Sequence, residues 1–245
     1  MQPAQILLRL KAGFRAPARQ PLGRERKARR IAEHLLFSGL RGLMQSARRM
    51  EGGNVFDRLL RALEIELAVP PGEWERIPES GPLVVAANHP TGLLDGAIAA
   101  SLCLRRRPDV RILVNHLLPS HEEIDPYLIR VDPYGRAGSV SSNRSAMREA
   151  VRWVKKGGAL IVFPAGDVSR IDWKHWAVED PEWNPSIARL IRAGGAAALP
   201  LHIRAGNSPV FHLLGAVHPR LKTVRLPFEM LNKRGASVSV RAGMP

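Results

Sequence analysis

Two ionisable residues that could exchange a proton with a substrate, His89 and Asp95, follow the apolar run Leu83–Ala87. The run predicts a buried strand, Pro90-Thr91-Gly92 predicts a tight turn, and a helix is predicted to open near Asp95. Folds that alternate strands and helices place their sites at the carboxyl ends of strands, where this pattern puts His89. An imidazole there takes a proton from a hydroxyl, and a carboxylate that folds back across the turn fixes its tautomer. By spacing alone, such residues are more often structural than catalytic.

The second candidate site is the segment Phe163-Pro164-Ala165-Gly166-Asp167-Val168-Ser169-Arg170. It follows a predicted strand and contains a Pro–Gly turn, so it presents backbone N–H groups near Gly166, the Ser169 hydroxyl and the Arg170 guanidinium together. Such donors hold a phosphate or carboxylate group, and arginine binds it through two hydrogen bonds. An ordinary strand-ending turn is the competing interpretation.

A third polar and basic segment spans 136–145 and includes Arg144. It leads into a predicted helix N-terminus, where backbone N–H groups and the helix dipole favour a bound anion. Taken by itself, this segment is common enough to be incidental.

The elements that position these residues alternate between strand and helix patterns. Strands are predicted at Leu83–Ala87, Val110–Val114, Ala159–Phe163, Ala196–Ile203 and Ser237–Val240, and helices at Gly96–Leu104, Asn143–Lys155 and Pro185–Arg192. This alternation predicts an α/β fold with a mixed, largely parallel central sheet flanked by helices.

A basic region precedes the sheet. Residues 1–50 contain 12 lysines and arginines against two glutamates, which gives +10 of the total net charge of +15. Apolar residues recur at helical spacing from about Arg24 to Met50, Gly52-Gly53 ends that helix, and Asn54 is predicted to cap a second one. We therefore predict a basic amphipathic helical hairpin at 1–68 and an α/β domain at 69–245. The apolar stripe either packs on the core or lies in a headgroup layer, and the charge alone is also compatible with a solvated tail.

Several classes of protein are disfavoured by the sequence. The single cysteine, Cys103, forms no internal disulfide, and zinc-binding spacings are absent. A metal site at His116 and His121 with Glu122 or Glu123 does not fit helical ligand spacing. The sequence lacks a GxSxG nucleophile motif, an 18-residue apolar run and a signal-peptide pattern. A non-enzymatic basic protein that binds nucleic acid or membranes remains the alternative, although no nucleic-acid-binding motif accompanies the charge.

The candidate sites together resemble the conserved blocks of one superfamily. Residues 80–243 are similar to the glycerolipid acyltransferases, which act on lysophospholipids and 1-acylglycerol-3-phosphate. The matching blocks are Asn88, His89 and Asp95, then a basic block around Arg144, then Phe163–Gly166, then Leu199-Pro200. The segments NHPTGLLDG and FPAGDVS, with the ending at 231–235, look most like a bacterial subgroup of hemolysin-like proteins and ornithine-lipid acyltransferases.

Two positions depart from the common superfamily pattern. Five residues separate His89 from Asp95, where the common motif has four, so Gly92 is expected to absorb the extra residue as a bulge. Ala165 replaces the usual glutamate of the Phe-Pro-Glu-Gly block. Both departures leave the identity of the acceptor open. They do not change the predicted reaction.

The resemblance implies acyl transfer from a thioester to a lipid hydroxyl, with His89 as general base, Asp95 as its partner and no acyl-enzyme. Substrate-binding roles are expected for Asn88, Arg144, Gly166, Ser169 and Arg170. The donor would be an acyl carrier protein or coenzyme A thioester, with no metal or other cofactor. The acceptor would be a lysophospholipid, lysophosphatidate or lyso-ornithine lipid. We expect a cytoplasmic protein, peripheral on the inner face of the cell membrane, with an anionic membrane surface and no nucleic acid as partner.

Overall fold

The apolar runs of the sequence form the central sheet in a computed structural model, which describes residues 38–116, 118–132, 139–172, 174–175 and 177–245. In these residues seven strands pair in the order β1-β9-β8-β2-β5-β3-β4, and β6 and β7 form a separate hairpin. The strands are β1 Glu66–Ala68, β2 Leu83–Ala87, β3 Val110–Asn115, β4 Leu128–Val131, β5 Ala159–Val162, β6 Arg170–Asp172, β7 Ala177–Glu179, β8 Ala197–Arg204 and β9 Ser237–Ala242.

Strand direction confirms the predicted mixed, largely parallel sheet. Strands β8, β2, β5, β3 and β4 are parallel to one another. Strand β9 runs antiparallel to β8 and pairs with β1 in parallel. Ala86 in β2 lies opposite Val162 in β5 and Pro200 in β8, so the carboxyl ends of the three central strands meet at one edge. The loops that leave these strands therefore converge, as the sequence predicts for a site.

Helices cover both faces of the sheet. They are α1 at 38–48, α2 Val55–Ala62, α3 Leu93–Leu104, α4 Ser139–Lys155, α5 Ser186–Gly194, α6 Pro209–Val217 and α7 Pro219–Leu231. Adjacent residues of β2 point to opposite faces, so Val85 joins the core under α1 to α3 and Val84 joins the core under α4 and α5. Both central faces of the sheet are therefore buried.

The predicted cap of the second N-terminal helix is confirmed. The Asn54 side chain accepts hydrogen bonds from the N–H groups of Phe56 and Asp57, and Asp57 accepts one from the Asn54 N–H in return. This reciprocal cap fixes the start of α2 directly above the core.

The predicted amphipathic helix is described only over 38–48, where Leu43 and Ala47 are buried in the core. In this part the apolar stripe packs on the protein. Helix α2 and strand β1 also belong to the compact unit Gly39–Pro245, because β1 pairs with β9. The rest of the predicted helix, 24–37, lies outside the described residues, and the membrane-associating role assigned to 1–68 stays a prediction.

Candidate active site

Strand β2 and the turn after it bring His89 and Asp95 together. His89 lies two residues beyond the end of β2, and Asp95 lies in the first turn of α3. The chain reverses between them, so the Nδ1 atom of His89 is 3.0 Å from Oδ2 of Asp95. Two residues that are six positions apart in the sequence thus form one hydrogen-bonded group.

Asp95 is fully buried, and the turn supplies its hydrogen bonds. Its Oδ2 atom accepts from the backbone N–H groups of Thr91 and Gly92, each at 2.8 Å, and its Oδ1 atom accepts from the Thr91 hydroxyl. Since these groups are all donors, Asp95 acts as an acceptor, and the proton in the bond to His89 lies on Nδ1. In the neutral imidazole, this tautomer has no proton on Nε2.

Gly92 makes the reversal possible. Its φ of 90° is a conformation that residues with a side chain rarely adopt, and a Cβ at this position would lie 2.7 Å from Cδ2 of Leu226 in α7. The expectation that Gly92 absorbs an extra residue between His89 and Asp95 as a bulge stays a prediction.

The side chain of Phe163, the first residue after β5, stacks on one face of the His89 ring. The two rings stack with centroids 4.2 Å apart and an interplanar angle of 26°. The His89 side chain keeps 19% of its surface exposed. Within the described parts of the chain, no group forms a hydrogen bond with Nε2, so this atom can accept a proton from a bound molecule.

Asp180 fixes the backbone of His89, a role that the sequence did not reveal. Both carboxylate oxygens of Asp180 lie 3.1 Å from the His89 backbone nitrogen, which donates to them. The Ser169 N–H donates to the His89 carbonyl at 2.9 Å, and the Ser169 hydroxyl and Trp183 indole N–H donate to Asp180. The β6–β7 hairpin connects Ser169 to Asp180. The residues at its two ends therefore hold both the N–H and the carbonyl of His89 through hydrogen bonds.

A charged cleft of about 620 Å³ adjoins this group. Ser169 and Asp180 contribute to its wall, so the cleft begins directly behind the His89 backbone, although His89 itself does not line it. Its wall combines acidic and basic side chains: Asp167, Asp172, Glu179, Asp180 and Glu182 with Arg170, Lys174 and Lys222. Lys222 is nearly buried and forms an ion pair with Asp167.

The predicted substrate-binding residues lie in different surroundings. Arg170 is exposed and lines the cleft, and exposed Gly166 forms a turn by donating its N–H to the Phe163 carbonyl. Ser169 has both donors occupied within the protein, as described above. Arg144 is exposed in α4, and among the described residues no hydrogen bond or ion pair joins it to His89 or Asp95.

Asn88 joins the ends of two strands. Its side-chain amide donates to the Ile203 carbonyl at 2.9 Å and accepts from the Ile203 N–H at 2.7 Å. The amide thus closes the gap between β2 and β8 immediately before His89. The substrate-binding role expected for Asn88 stays a prediction.

The two glutamates considered for a metal site are held in ion pairs. Glu122 forms an ion pair with Arg48, and Glu123 forms ion pairs with Arg48 and Arg58. In the part of the chain that the structure describes, no group of three histidine, cysteine or acidic side chains has an arrangement suited to a metal ion.

Residues 63–245 match the model of a protein family described as Acyltransferase. The lyso-glycine lipid O-acyltransferase of Phocaeicola vulgatus is 30% identical over 178 residues, which cover 70% of this chain and 61% of that protein. The chain thus spans about three fifths of the length of this relative. The crystal structure of the 1-acyl-sn-glycerophosphate acyltransferase PlsC from Thermotoga maritima aligns with 99% of this chain and 77% of that one, at 18% identity and a TM-score of 0.47.

Proposed function

Because the chain belongs to the acyltransferase family, we propose that it transfers a fatty acyl group from a thioester to the hydroxyl of a lysolipid, with His89 as general base. Family membership confirms the enzyme class predicted from the sequence blocks. The observation that carries the finer proposal is the 3.0 Å contact between His89 Nδ1 and the fully buried Asp95 carboxylate. This contact leaves Nε2 free to accept the hydroxyl proton.

Each step of the proposed reaction uses groups that the site holds. The acceptor proton passes to His89 Nε2 while the acceptor oxygen bonds to the thioester carbonyl carbon. The tetrahedral intermediate then expels the thiolate, which takes the same proton back from Nε2. Asp95 stabilises the imidazolium between these steps. General base catalysis of this kind contributes about 10²–10⁴-fold, and orientation of the two substrates adds to it.

The charges of the cleft favour an acceptor headgroup that carries both a positive and a negative charge. Arg170 and Lys174 suit an anion, whereas Asp172, Glu179 and Glu182 suit an ammonium group. A lyso-ornithine lipid has a carboxylate and an amine, and lysophosphatidate has only the anion. We therefore place lyso-ornithine lipid first among the predicted acceptors, and we add a lyso-glycine lipid because a relative carries that name.

Either acidic carrier, acyl carrier protein or coenzyme A, suits a chain with a net charge of +15. We propose that the protein acts on the cytoplasmic face of the cell membrane as a peripheral protein. Among the described helices, none combines the length and apolar character needed to cross a bilayer.

The test is incubation of the purified chain with isotope-labelled acyl donors and a panel of acceptors, with products identified by mass spectrometry. The panel contains lyso-ornithine lipid, lyso-glycine lipid, lysophosphatidate and a second lysophospholipid, each paired with both donors. We expect a singly acylated product from at least one pair, formed fastest from lyso-ornithine lipid. A folded protein that acylates none of these acceptors would contradict the proposal.

Two arginine variants separate headgroup binding from chemistry. Arg170→Ala should raise the acceptor Michaelis constant and leave turnover nearly unchanged, because Arg170 lines the cleft and does not touch His89. Arg144→Ala tests the role expected from the resemblance in the same assay. Arg189→Ala, exposed on α5, is the matched control. A fall in turnover alone in the Arg170 or Arg144 variant would contradict a headgroup role for that residue.

A further inference from the structure

Helices α6 and α7 expose large apolar side chains in two stripes. Each stripe follows the i, i+3, i+7 spacing of one helix side, and each of its members is at least two fifths exposed. The stripes are Val210, Leu213 and Val217 on α6 and Leu221, Val224 and Phe228 on α7, and we call these six residues the α6–α7 face. They make up six of the nine exposed large apolar side chains in the described residues.

Polar groups of the same helices point inward. Glu229 is fully buried and accepts hydrogen bonds from the backbone and side chain of Ser208. Lys222 is 7% exposed and pairs with Asp167. A helix on a water-exposed surface usually has the opposite arrangement, with its apolar side inward. The α6–α7 face therefore has the character of a surface that meets an apolar partner.

The helices that carry the face also border the candidate active site. Helix α6 supplies Phe211 and His212 to the wall of the cleft, and α7 supplies Lys222. Leu226, on the turn of α7 between Val224 and Phe228, is in contact distance of Gly92 in the loop that carries His89. The two helices that carry the exposed stripes thus also form part of the cleft wall and contact the loop that carries His89.

Positive charges accompany the apolar side chains. The Arg225 guanidinium lies over the Phe228 ring, 5.5 Å from its centroid. Arg234 follows the end of α7 with 57% of its side chain exposed and pairs with Glu64, and Arg225 also pairs with Glu229. Exposed apolar residues with adjacent cations suit a surface made of acyl chains below anionic headgroups.

We propose that the α6–α7 face inserts into the headgroup and upper acyl region of a membrane, so that an acceptor lipid reaches the cleft without entering water. The proposal rests on the proposed function only in taking the acceptor to be a lipid. Vesicle binding tests it without any assay of acyl transfer, so the two proposals fail separately.

The first experiment measures binding of the full chain to vesicles of phosphatidylcholine and phosphatidylglycerol. Salt at about 0.5 M screens the attraction of exposed basic residues to the vesicles and leaves apolar insertion in place. The double variant Leu213→Gln/Phe228→Gln should bind vesicles at least about tenfold more weakly than the wild type, since it removes two large apolar groups from the bilayer. The control Val178→Thr/Met244→Gln changes two exposed apolar residues outside the face and should bind within about twofold of the wild type.

The second experiment places a fluorescent probe on the face. Cys103 is buried, and burial raises its pKa to about 12, so a thiol-directed dye reacts with an introduced cysteine instead. A dye on Val217→Cys should brighten and shift to the blue when vesicles are added. The same dye on Ala188→Cys, an exposed position of α5, should not change.

Two results would overturn the proposal. In the first, the double variant binds vesicles like the wild type while charge reversal in residues 1–37 abolishes binding, which would assign the membrane contact to the N-terminal region. In the second, sedimentation shows that the wild type is a dimer and the double variant a monomer, and the dye on Val217→Cys does not respond to vesicles. The face would then be an interface between copies of the chain. Weaker vesicle binding by the double variant together with the Val217→Cys dye response supports the proposal.

Discussion

The Nδ1 atom of His89 lies 3.0 Å from Oδ2 of Asp95, and the same carboxylate accepts three further hydrogen bonds from the turn between the two residues. The acid is therefore fixed before any substrate arrives, and the imidazole is fixed by the acid. This relationship depends on the end of β2, on the positive φ of Gly92 and on the first turn of α3.

Asp95→Asn should lower kcat/KM by about 100-fold or more, because an amide cannot serve as acceptor to every donor that now meets the carboxylate. Donors left without a partner should also reduce the free energy of unfolding by about 1–3 kcal/mol. Thr91→Val is the matched control, since it removes only the hydroxyl hydrogen bond to Oδ1. It should cost about 1 kcal/mol and less than about tenfold in kcat/KM. Enzyme assays and urea unfolding measure both effects. Wild-type kcat/KM in the folded Asp95→Asn protein would contradict the role of the acid.

Asp180→Asn tests the hold on the His89 backbone. The amide keeps the shape of the carboxylate but accepts fewer hydrogen bonds, so the His89 peptide should lose its fixed position. We expect turnover to fall by about tenfold or more, because small displacements of a catalytic group are costly, with little change in the acceptor Michaelis constant. Glu149→Gln, an exposed acid on α4 that pairs with Arg111, is the control and should behave like the wild type. An increase in the Michaelis constant without loss of turnover would show that Asp180 binds substrate instead.

Gly92→Ala should reduce the free energy of unfolding by roughly 1–3 kcal/mol, because the added Cβ meets both a positive φ and the Leu226 side chain. Adding Leu226→Ala should not restore full stability, since it relieves the close contact and leaves the backbone strain. Gly96→Ala is the control: a Cβ there meets nothing within 4 Å, and the position is helical. This control should be stabilising by about 0.5–1 kcal/mol. Equal effects of the two alanines in urea unfolding would refute the conformational requirement at Gly92.

The sequence predicts the parts of the fold that are buried on both sides. Strand β2 was predicted with its observed bounds because Leu83–Ala87 is a continuous apolar run that packs against helices on both faces. The same pattern placed His89 at the carboxyl end of that strand. The proximity of Asp95 followed from the turn signal at Pro90-Thr91-Gly92, which is a local feature of the chain.

Long-range features of the site left no such signal. Strands β6 and β7 have only three residues each and no apolar alternation, so the hairpin between Ser169 and Asp180 was not predicted. The contact between Asp180 and His89 joins residues that are 91 positions apart. Helix α7 was missed because Pro227 interrupts its pattern and because three of its apolar residues, Leu221, Val224 and Phe228, are exposed.

Glu229→Gln should destabilise the protein more at pH 7 than under acidic conditions. Burial alone would raise the pKa of Glu229, but hydrogen bonds from Ser208 and Arg225 and the charge of Lys233 hold it below its ordinary value of 4.5. A group with a lowered pKa stabilises the fold above pH 4.5, and this contribution disappears as the pH falls through the folded-state value. The difference in unfolding free energy between wild type and variant should therefore shrink as the pH falls below 4.5. A difference that stays constant from pH 7 downward would rule out this linkage.

The most direct measurement is acyl transfer by His89→Ala with the best donor and acceptor from the panel, in protein shown by circular dichroism and urea unfolding to be folded. If Nε2 of His89 accepts the hydroxyl proton, the variant should lose about 10²–10⁴-fold in turnover. Phe163, which stacks on the ring, gives the control: Phe163→Leu should retain much more activity because the imidazole and Asp95 remain. A His89→Ala protein that keeps more than about a few per cent of wild-type turnover would remove His89 from the reaction.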